Sequence, residues 1–382
     1  MNRRLLLLTE IISPYRIPLF NALAGCRELD LHVIFLAETD PQLRQWQIYK
    51  EEIRFSYQVL PSWRKRLGRY NVLLNRGLAQ ALAAAAPDVI LCGGYSYVAS
   101  WQALVWARLR DTPFLLWSES NRQDLRRGHA LVEFLKSEFL QRCSGFVVPG
   151  RSAFEYLRAH KIKEELIFTA PNAVDNALFS CAAKAARRDA AAGRTDLNLP
   201  DRYFLFVGRL VPEKGVFDLL SAYARLDPSL RQQVGLVFAG NGVSRPALEE
   251  RSAAISPGVI RFAGFAQREQ LATYYALADA LILPTYTDPW GLVVNEAMAC
   301  SLPVILSRAA GCASDLVKEK ENGLLVEPGD VAALAAAMDS LARHSELRET
   351  MGAQSLERIA AFSPYHWSAG IVGAVAATGS RP

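Results

Sequence analysis

The sequence predicts an α/β protein built from two doubly wound domains, and three observations predict it. The chain has 382 residues, more than the ~250–300 at which single cores stop growing. Short β-rich runs alternate with longer stretches of helical spacing, the pattern of a parallel sheet with helices on both faces. A turn-rich segment, Pro171-Asn172-Ala173-Val174-Asp175, divides that alternation into two similar halves. Composition agrees. With 51% apolar and 21% charged residues, the chain can bury a large core, which excludes disorder, collagen and disulfide-rich miniproteins.

In the first half the predicted strands are Arg4–Leu8, Leu31–Leu36, Val89–Cys92, Pro113–Trp117 and Gly145–Pro149, with helical spacing over Leu73–Ala85 and Tyr97–Leu109. The second half repeats the plan. Its strands are Tyr203–Val207, Val234–Ala239, Val259–Ala263, Ala280–Pro284, Pro303–Leu306 and Gly323–Val326. Between them lie predicted helices Val216–Arg225, Arg245–Ala254, Arg268–Ala278, Leu292–Cys300 and Asp330–Arg343. The stretch Ala182–Asn198, rich in Ala, Arg and Gly without long apolar periodicity, reads as an exposed excursion where the second domain begins.

The net charge of +5 is unevenly spread: residues 1–172 carry 23 Lys/Arg against 16 Asp/Glu, and residues 173–382 carry 20 against 22. Such polarity suggests an anionic partner for the first half, or simple scatter. The six cysteines show no CxxC spacing and read as reduced thiols in a cytoplasmic protein, not as metal ligands. Arg3, Arg4 and Leu5–Leu8 imitate a signal peptide, but the run breaks at Thr9-Glu10 without a small-residue cleavage site, so it reads as a first buried strand. No apolar run approaches the ~18 residues that a spanning helix needs.

Open parallel sheets bind ligands beyond the carboxyl ends of their strands. Three turns in the second half fall there. In Gly208-Arg209-Leu210-Val211-Pro212-Glu213-Lys214-Gly215, a strand ends and two cations stand five positions apart. Arg209 offers a planar fork and Lys214 a point charge, which suits a diphosphate; a solvated basic loop is the alternative. Gly240-Asn241-Gly242 makes a tight turn that brings backbone N–H groups to the same edge, or is merely structural. The third, Pro284–Glu296, places Asp288 before a helix and Glu296 two turns inside it, bracketing the amides of Trp290, Gly291 and Leu292 as helix N-terminal donors. Carboxylates accept hydroxyl protons and amides bind hydroxyl or phosphate oxygens, so the set suits a polyhydroxylated ligand. Glu296 otherwise sits among apolar neighbours, where an unpaired charge is costly.

These features in order, with Phe262-Ala263-Gly264-Phe265, Ala276–Thr285 (ALADALILPT) and Gly323-Leu324-Leu325-Val326, resemble the retaining GT-B glycosyltransferases of family GT4. The resemblance is close in the second half and loose in the first. It implies a GT-B fold, two Rossmann-like domains facing across a cleft, and a hexosyltransferase moving sugar from a nucleotide donor to an acceptor. The domains would be 1–172 for the acceptor, joined by 362–382 crossing back onto it, and 173–361 for the donor. Arg209 and Lys214 would hold the donor diphosphate, Glu296 the ribose hydroxyls, and Asp288, with Gly208, Gly240, Asn241 and the Trp290–Leu292 amides nearby, the sugar. The family pattern has Glu where Asp288 stands, one methylene longer, which bears on sugar grip and donor preference. No metal and no cofactor are implied, with UDP-sugar favoured over GDP-sugar as donor.

On the acceptor side, the resemblance puts Ser13, Tyr15 and Arg16, after the first strand, at the cleft. Relatives often place a His near the end of a later strand. This chain has none there, and Glu119 is its polar substitute, or only a loop-ordering residue. Basic residues beside Trp63 and Tyr70 (Arg64, Lys65, Arg66, Arg69), with Arg122, Arg126 and Arg127, suggest a peripheral enzyme at an anionic leaflet on the cytoplasmic face, taking a lipid-linked or cell-surface polysaccharide intermediate. A solubilising helix face is the alternative. A GT-B epimerase or a noncatalytic assembly subunit would explain the motifs differently. Scattered basic clusters without a recognisable module argue against nucleic acid.

Overall fold

The computed structural model describes residues 2–40, 45–67, 70–121 and 130–378. It divides into two compact units, Met1–Val174 with Ser363–Pro382, and Asp175–Phe362.

The first unit contains β1 (Arg3–Thr9), β2 (Leu29–Phe35), β3 (Ser56–Val59), the hairpin strands β4 (Ser62–Leu67) and β5 (Tyr70–Asn75), β6 (Val89–Cys92), β7 (Phe114–Trp117), β8 (Gly145–Val148) and β9 (Ile167–Thr169). Seven of these form one parallel sheet in the order β3-β2-β1-β6-β7-β8-β9. Leu5–Leu8 pair with Leu31–Ile34 on one side and Val89–Cys92 on the other, and all four leucines are buried. Strands covered on both faces read as unbroken apolar runs, which is why β1, β6, β7 and β8 are visible in the sequence. Strands β3 and β9 escaped it because they are short edges, and β3 is largely exposed.

The segment around Arg64 is a β-hairpin, not a helix face, with Trp63 opposite Leu74 and Lys65 opposite Val72. Residues Leu73–Asn75, expected to begin a helix, close that hairpin, and the helix starts at Leu78 after Gly77. On the opposite face of the sheet lies the final helix, Pro364–Thr378. Its buried Trp367 meets Phe20 and Trp117 with ring centroids 5.8 and 5.2 Å away.

The second unit contains β10 (Tyr203–Val207), β11 (Gly235–Ala239), β12 (Ile260–Gly264), β13 (Ala280–Leu283), β14 (Val304–Ser307) and β15 (Gly323–Val326), all parallel in the order β12-β11-β10-β13-β14-β15. The order reverses between β10 and β13, as it does between β1 and β6 in the first unit. Such switch points leave a crevice beyond the strand ends.

The expected excursion at 182–198 is instead two helices, Asn176–Arg188 and Ala190–Asp196. Asp175 caps the first by accepting from the Leu178 N–H at 3.0 Å. Its alanines are small enough to let it lie closely against its neighbours, with Phe179 and Ala183 buried. Arg187 completes the seam, donating to the carbonyls of Ala276 and Cys300 at 3.1 and 2.5 Å. High helix propensity and small size, not apolar periodicity, make this segment structural.

Candidate active site

In the second unit the loops after β10 and β13 meet at the switch point. Gly215 turns with φ of +67°, and a Cβ there would lie 2.0 Å from the Pro284 carbonyl oxygen. Only glycine permits that approach. Backbone and hydroxyl bonds stitch the two loops: the Tyr286 N–H donates to the Glu213 carbonyl at 2.9 Å, and Thr285 Oγ1 donates to the same oxygen at 3.0 Å.

Across this seam Lys214 Nζ lies 2.5 Å from Asp288 Oδ2, with both side chains about six-sevenths covered (14% and 15% exposed). Two residues singled out separately in the sequence are therefore a charge pair. Asp288 also accepts from the Trp290 N–H at 3.3 Å. That amide, expected to be open to a ligand, is engaged by the loop's own carboxylate two residues back, as in an Asx turn. The amides of Gly291 and Leu292 have no acceptor among the described residues. Gly291, with φ of +97°, turns the chain into the helix Leu292–Ala299. The indole of Trp290 is buried and donates to Asn295 Oδ1 at 2.8 Å, fixing the loop to the helix it precedes.

Glu296, on that helix, accepts from the Tyr275 hydroxyl at 2.7 Å. Burial pushes its carboxyl up to about 7, and the Tyr275 hydrogen bond only partly opposes the shift. Desolvation raises the Tyr275 phenol as well. A carboxyl that ionises near neutrality changes its charge within the physiological pH range.

Gly208 ends β10 with φ of +152°, and Arg209 beside it is exposed, with no ion pair or hydrogen bond to a described residue. The Gly240 turn lies directly against this loop: a Cβ on Gly240 would sit 1.9 Å from the Gly208 carbonyl oxygen. Its N–H is not presented to a ligand, as expected, because it donates to the Gly264 carbonyl at 2.7 Å. Asn241 is likewise used internally, its side chain accepting from Arg245 at 3.0 Å and its carbonyl from the Leu210 N–H at 2.9 Å. The turn packs closely on the loop after β10, with Gly242 as well as Gly240 against its backbone.

In the first unit, the loops after β1 and β7 are joined by Arg16. Its guanidinium lies over the Trp117 ring, 4.4 Å from the centroid, donates to Thr9 Oγ1 at 3.1 Å and approaches Glu119 Oε2 at 3.5 Å. Asn172 donates to the other Glu119 oxygen at 3.0 Å. Tyr15 stands edge-on to Trp46. Ser13 is buried at 5% exposure, its carbonyl accepting from the Arg16 N–H, and so serves the turn. Arg122, Arg126 and Arg127 lie outside the described residues.

Sequence reasoning missed Tyr275, Thr9 and Asn172. Nothing local marks them, because each meets its partner through tertiary packing. Among the described residues no cluster of three or more His, Cys, Asp or Glu side chains could hold a metal ion, and the described cysteines are free thiols. No described helix is long and apolar enough to cross a membrane.

A family model described as glycosyl transferases group 1 matches residues 188–358, and one described as glycosyltransferase family 4 matches residues 19–178. The D-inositol 3-phosphate glycosyltransferase of Streptosporangium roseum is 33% identical over 193 residues, 48% of this chain and 43% of that protein. Its counterpart in Geodermatophilus obscurus is 38% identical over 168 residues, 40% of this chain and 37% of that one. The matches thus span less than half the length of these curated relatives. Among solved structures, Anabaena HepE in complex with UDP and glucose superposes with a TM-score of 0.76 at 17% identity, covering 98% of this chain and all of that one. Sucrose-phosphate synthase from Thermosynechococcus elongatus gives 0.72 at 22%, covering 97% of each. At such identities they speak to fold alone. With one family model on each compact unit and this fold in common with solved GT-B structures, the chain belongs to the family 4, group 1 glycosyltransferases.

Proposed function

We propose that the protein is a retaining glycosyltransferase that moves a sugar from a nucleotide donor, UDP-sugar ahead of GDP-sugar, onto a lipid-linked or cell-surface glycan intermediate at an anionic membrane. The second unit would hold the donor and the first the acceptor. The observation that carries this reading is the β10/β13 switch point, where Lys214 and Asp288 pair across two interlocked loops and the Gly291 and Leu292 amides and Glu296 follow at the start and inside of the adjoining helix.

In this reading Glu296 accepts from the ribose hydroxyls, while Arg209 and Lys214 neutralise the diphosphate without a metal ion. Preorganised charge of this kind is worth most as the diphosphate leaves. Asp288 and the Gly291 and Leu292 amides contact the sugar. The bond from the anomeric carbon to the diphosphate breaks as the acceptor oxygen bonds the same face, and the acceptor proton passes to the departing phosphate oxygen. Glu119, held by Arg16 and Asn172, orients the acceptor hydroxyl.

A thermal-shift panel of UDP-, GDP- and dTDP-sugars tests the donor, since a ligand that binds only the folded state raises its apparent stability. Product analysis with donor alone, and then with lipid-linked glycans and an inositol phosphate, tests the reaction. Epimerisation without acceptor, or no binding and no turnover, would overturn the reading.

A further inference from the structure

Resting on the reading that the first unit holds the acceptor, we infer that the sheet end formed by the loops after β1, β6 and β7 takes the uncharged, polyhydroxylated end of a glycan and disfavours a phosphorylated one, with Glu10 as a binding residue.

The cations at this sheet end already have acidic partners. Arg16 approaches Glu119, and Arg64 lies between Glu10, at 3.2 Å, and the buried Asp40. Lys50 stands 2.6 Å from Glu38, whose carbonyl accepts from the Ile12 N–H in the loop after β1. Among the described residues of these loops, and of the loop after β2, no lysine or arginine is left over to meet a phosphate.

The two arginine pairs are turned the same way. In each the guanidinium is the more covered member: the Arg16 and Arg64 side chains are 18% and 17% exposed, those of Glu119 and Glu10 32% and 30%. What the loops show to solvent is therefore carboxylate oxygen, braced from behind. Carboxylates accept hydroxyl protons, and they repel a phosphate. With two guanidinium groups against three carboxylates, Glu10, Asp40 and Glu119, these pairs keep a net negative charge. A metal ion fits less well, because among the described residues no three acids, histidines or cysteines converge.

The ground between the two acids is left bare. Strand β6 lies between β1 and β7, Leu8 pairs with Cys92, and Cys92 pairs with Leu116. Just past those rows β6 continues as Gly93-Gly94, while β1 leads to Glu10 and β7 to Glu119. Gly94 turns with φ of +109°, and a Cβ on it would meet no atom within 4 Å. Bare backbone beside open space lets a ligand come close. The flanking strands are two spacings apart, about 10 Å, which leaves room for a sugar ring between their loops. Part-exposed aromatic rings stand nearby for its C–H faces: Tyr97, whose phenol hydrogen-bonds to Glu10, and Tyr15, edge-on to Trp46.

The test is saturation-transfer NMR on the full chain with the methyl glycosides of glucose, galactose and mannose and with their 6-phosphates. Wild type should bind at least one uncharged glycoside about tenfold more tightly than its phosphate. Glu10→Gln keeps the side-chain shape while Asp40 still holds Arg64; it should weaken the uncharged glycoside about tenfold and narrow its advantage over the phosphate. Glu250→Gln, an exposed acid of the other unit, should bind as wild type does. Absence of glycoside binding, equal or tighter binding of the phosphates by wild type, or unchanged binding by Glu10→Gln would overturn the assignment. So would an equal loss of both ligands in that variant, because Glu10 would then only brace the hairpin. Assays of sugar transfer from UDP- and GDP-sugars on the same samples separate the two readings: glycoside binding that depends on Glu10, without transfer, leaves the site standing and removes the transferase.

Discussion

Replacing Glu296 with glutamine should make the free protein more stable and the enzyme worse. In the folded chain burial holds the carboxyl proton up to about pH 7, against an ordinary value of 4.5. The folded state therefore binds that proton more tightly than the unfolded chain. Its stabilising effect is complete below pH 4.5 and is lost as the pH rises through 7. A gap of that size corresponds to about 3 kcal/mol at 1.36 kcal/mol per pH unit, most of it appearing between pH 5 and pH 8. Glutamine keeps the shape and can still accept from Tyr275, but carries no charge to desolvate. In urea denaturation, Glu296→Gln should differ little from wild type at pH 5 and should exceed it by about 2 kcal/mol at pH 8. Donor binding should move the other way. A carboxylate accepting from two ribose hydroxyls makes charge-assisted bonds worth about 1.5–3 kcal/mol, so calorimetric titration with a UDP-sugar at pH 8 should show about 10- to 100-fold weaker binding. A variant with wild-type stability at both pH values would refute the burial argument, and one that binds the donor normally would refute the ribose assignment.

Tyr275→Phe removes the 2.7 Å donor to Glu296 and should shift the pH midpoint of UDP-sugar affinity upward with little change at high pH, read from titrations across pH 5–9. Lys214→Ala should reduce kcat by about 10²–10³-fold, the usual cost of losing one preorganised charge at a leaving group, and steady-state kinetics would expose a reading in which the lysine only braces the loop, since KM and kcat would then hardly change. Gly240→Ala would force a methyl to within 1.9 Å of the Gly208 carbonyl oxygen; overpacking should cost about 1–3 kcal/mol, visible as a lower Tm with wild-type donor affinity per folded molecule.

The sequence carried the centre of each sheet better than its margins, and the reason is burial. Strands such as β1 and β10 are covered on both faces and must be apolar throughout. Edges such as β3 keep polar side chains outward, so Ser56–Val59 resembles a loop. The hairpin misled for a different reason: Leu73, Leu74, Leu78 and Leu82 have helical intervals, yet Gly77 divides them between a strand and a helix. Around the switch point, Lys214 and Asp288 stand out in the sequence because each falls in a loop after a strand, and Glu296 because it interrupts an apolar helix. The pairing of Lys214 with Asp288 does not, since it depends on Gly215 letting the two loops touch.

That pairing gives the Asp288 position a meaning the sequence alone could not supply. Lys214 and Asp288 neutralise each other in the free protein at 2.5 Å, while Arg209 on the same loop stays exposed and unpaired among the described residues. An arriving diphosphate would therefore meet Arg209 first and Lys214 only in competition with Asp288. The competition need not waste binding energy. A partly covered ion pair derives limited net stability from its charges once desolvation is counted, and a diphosphate offers Lys214 more negative charge than one carboxylate does. Drawing the ammonium toward the phosphates would let Asp288 exchange that partner for a sugar hydroxyl while Oδ1 keeps the Trp290 N–H. On this reasoning the shorter acid ties sugar contact to diphosphate binding, and a free sugar without its nucleotide should bind the protein poorly even at concentrations that saturate with the intact donor.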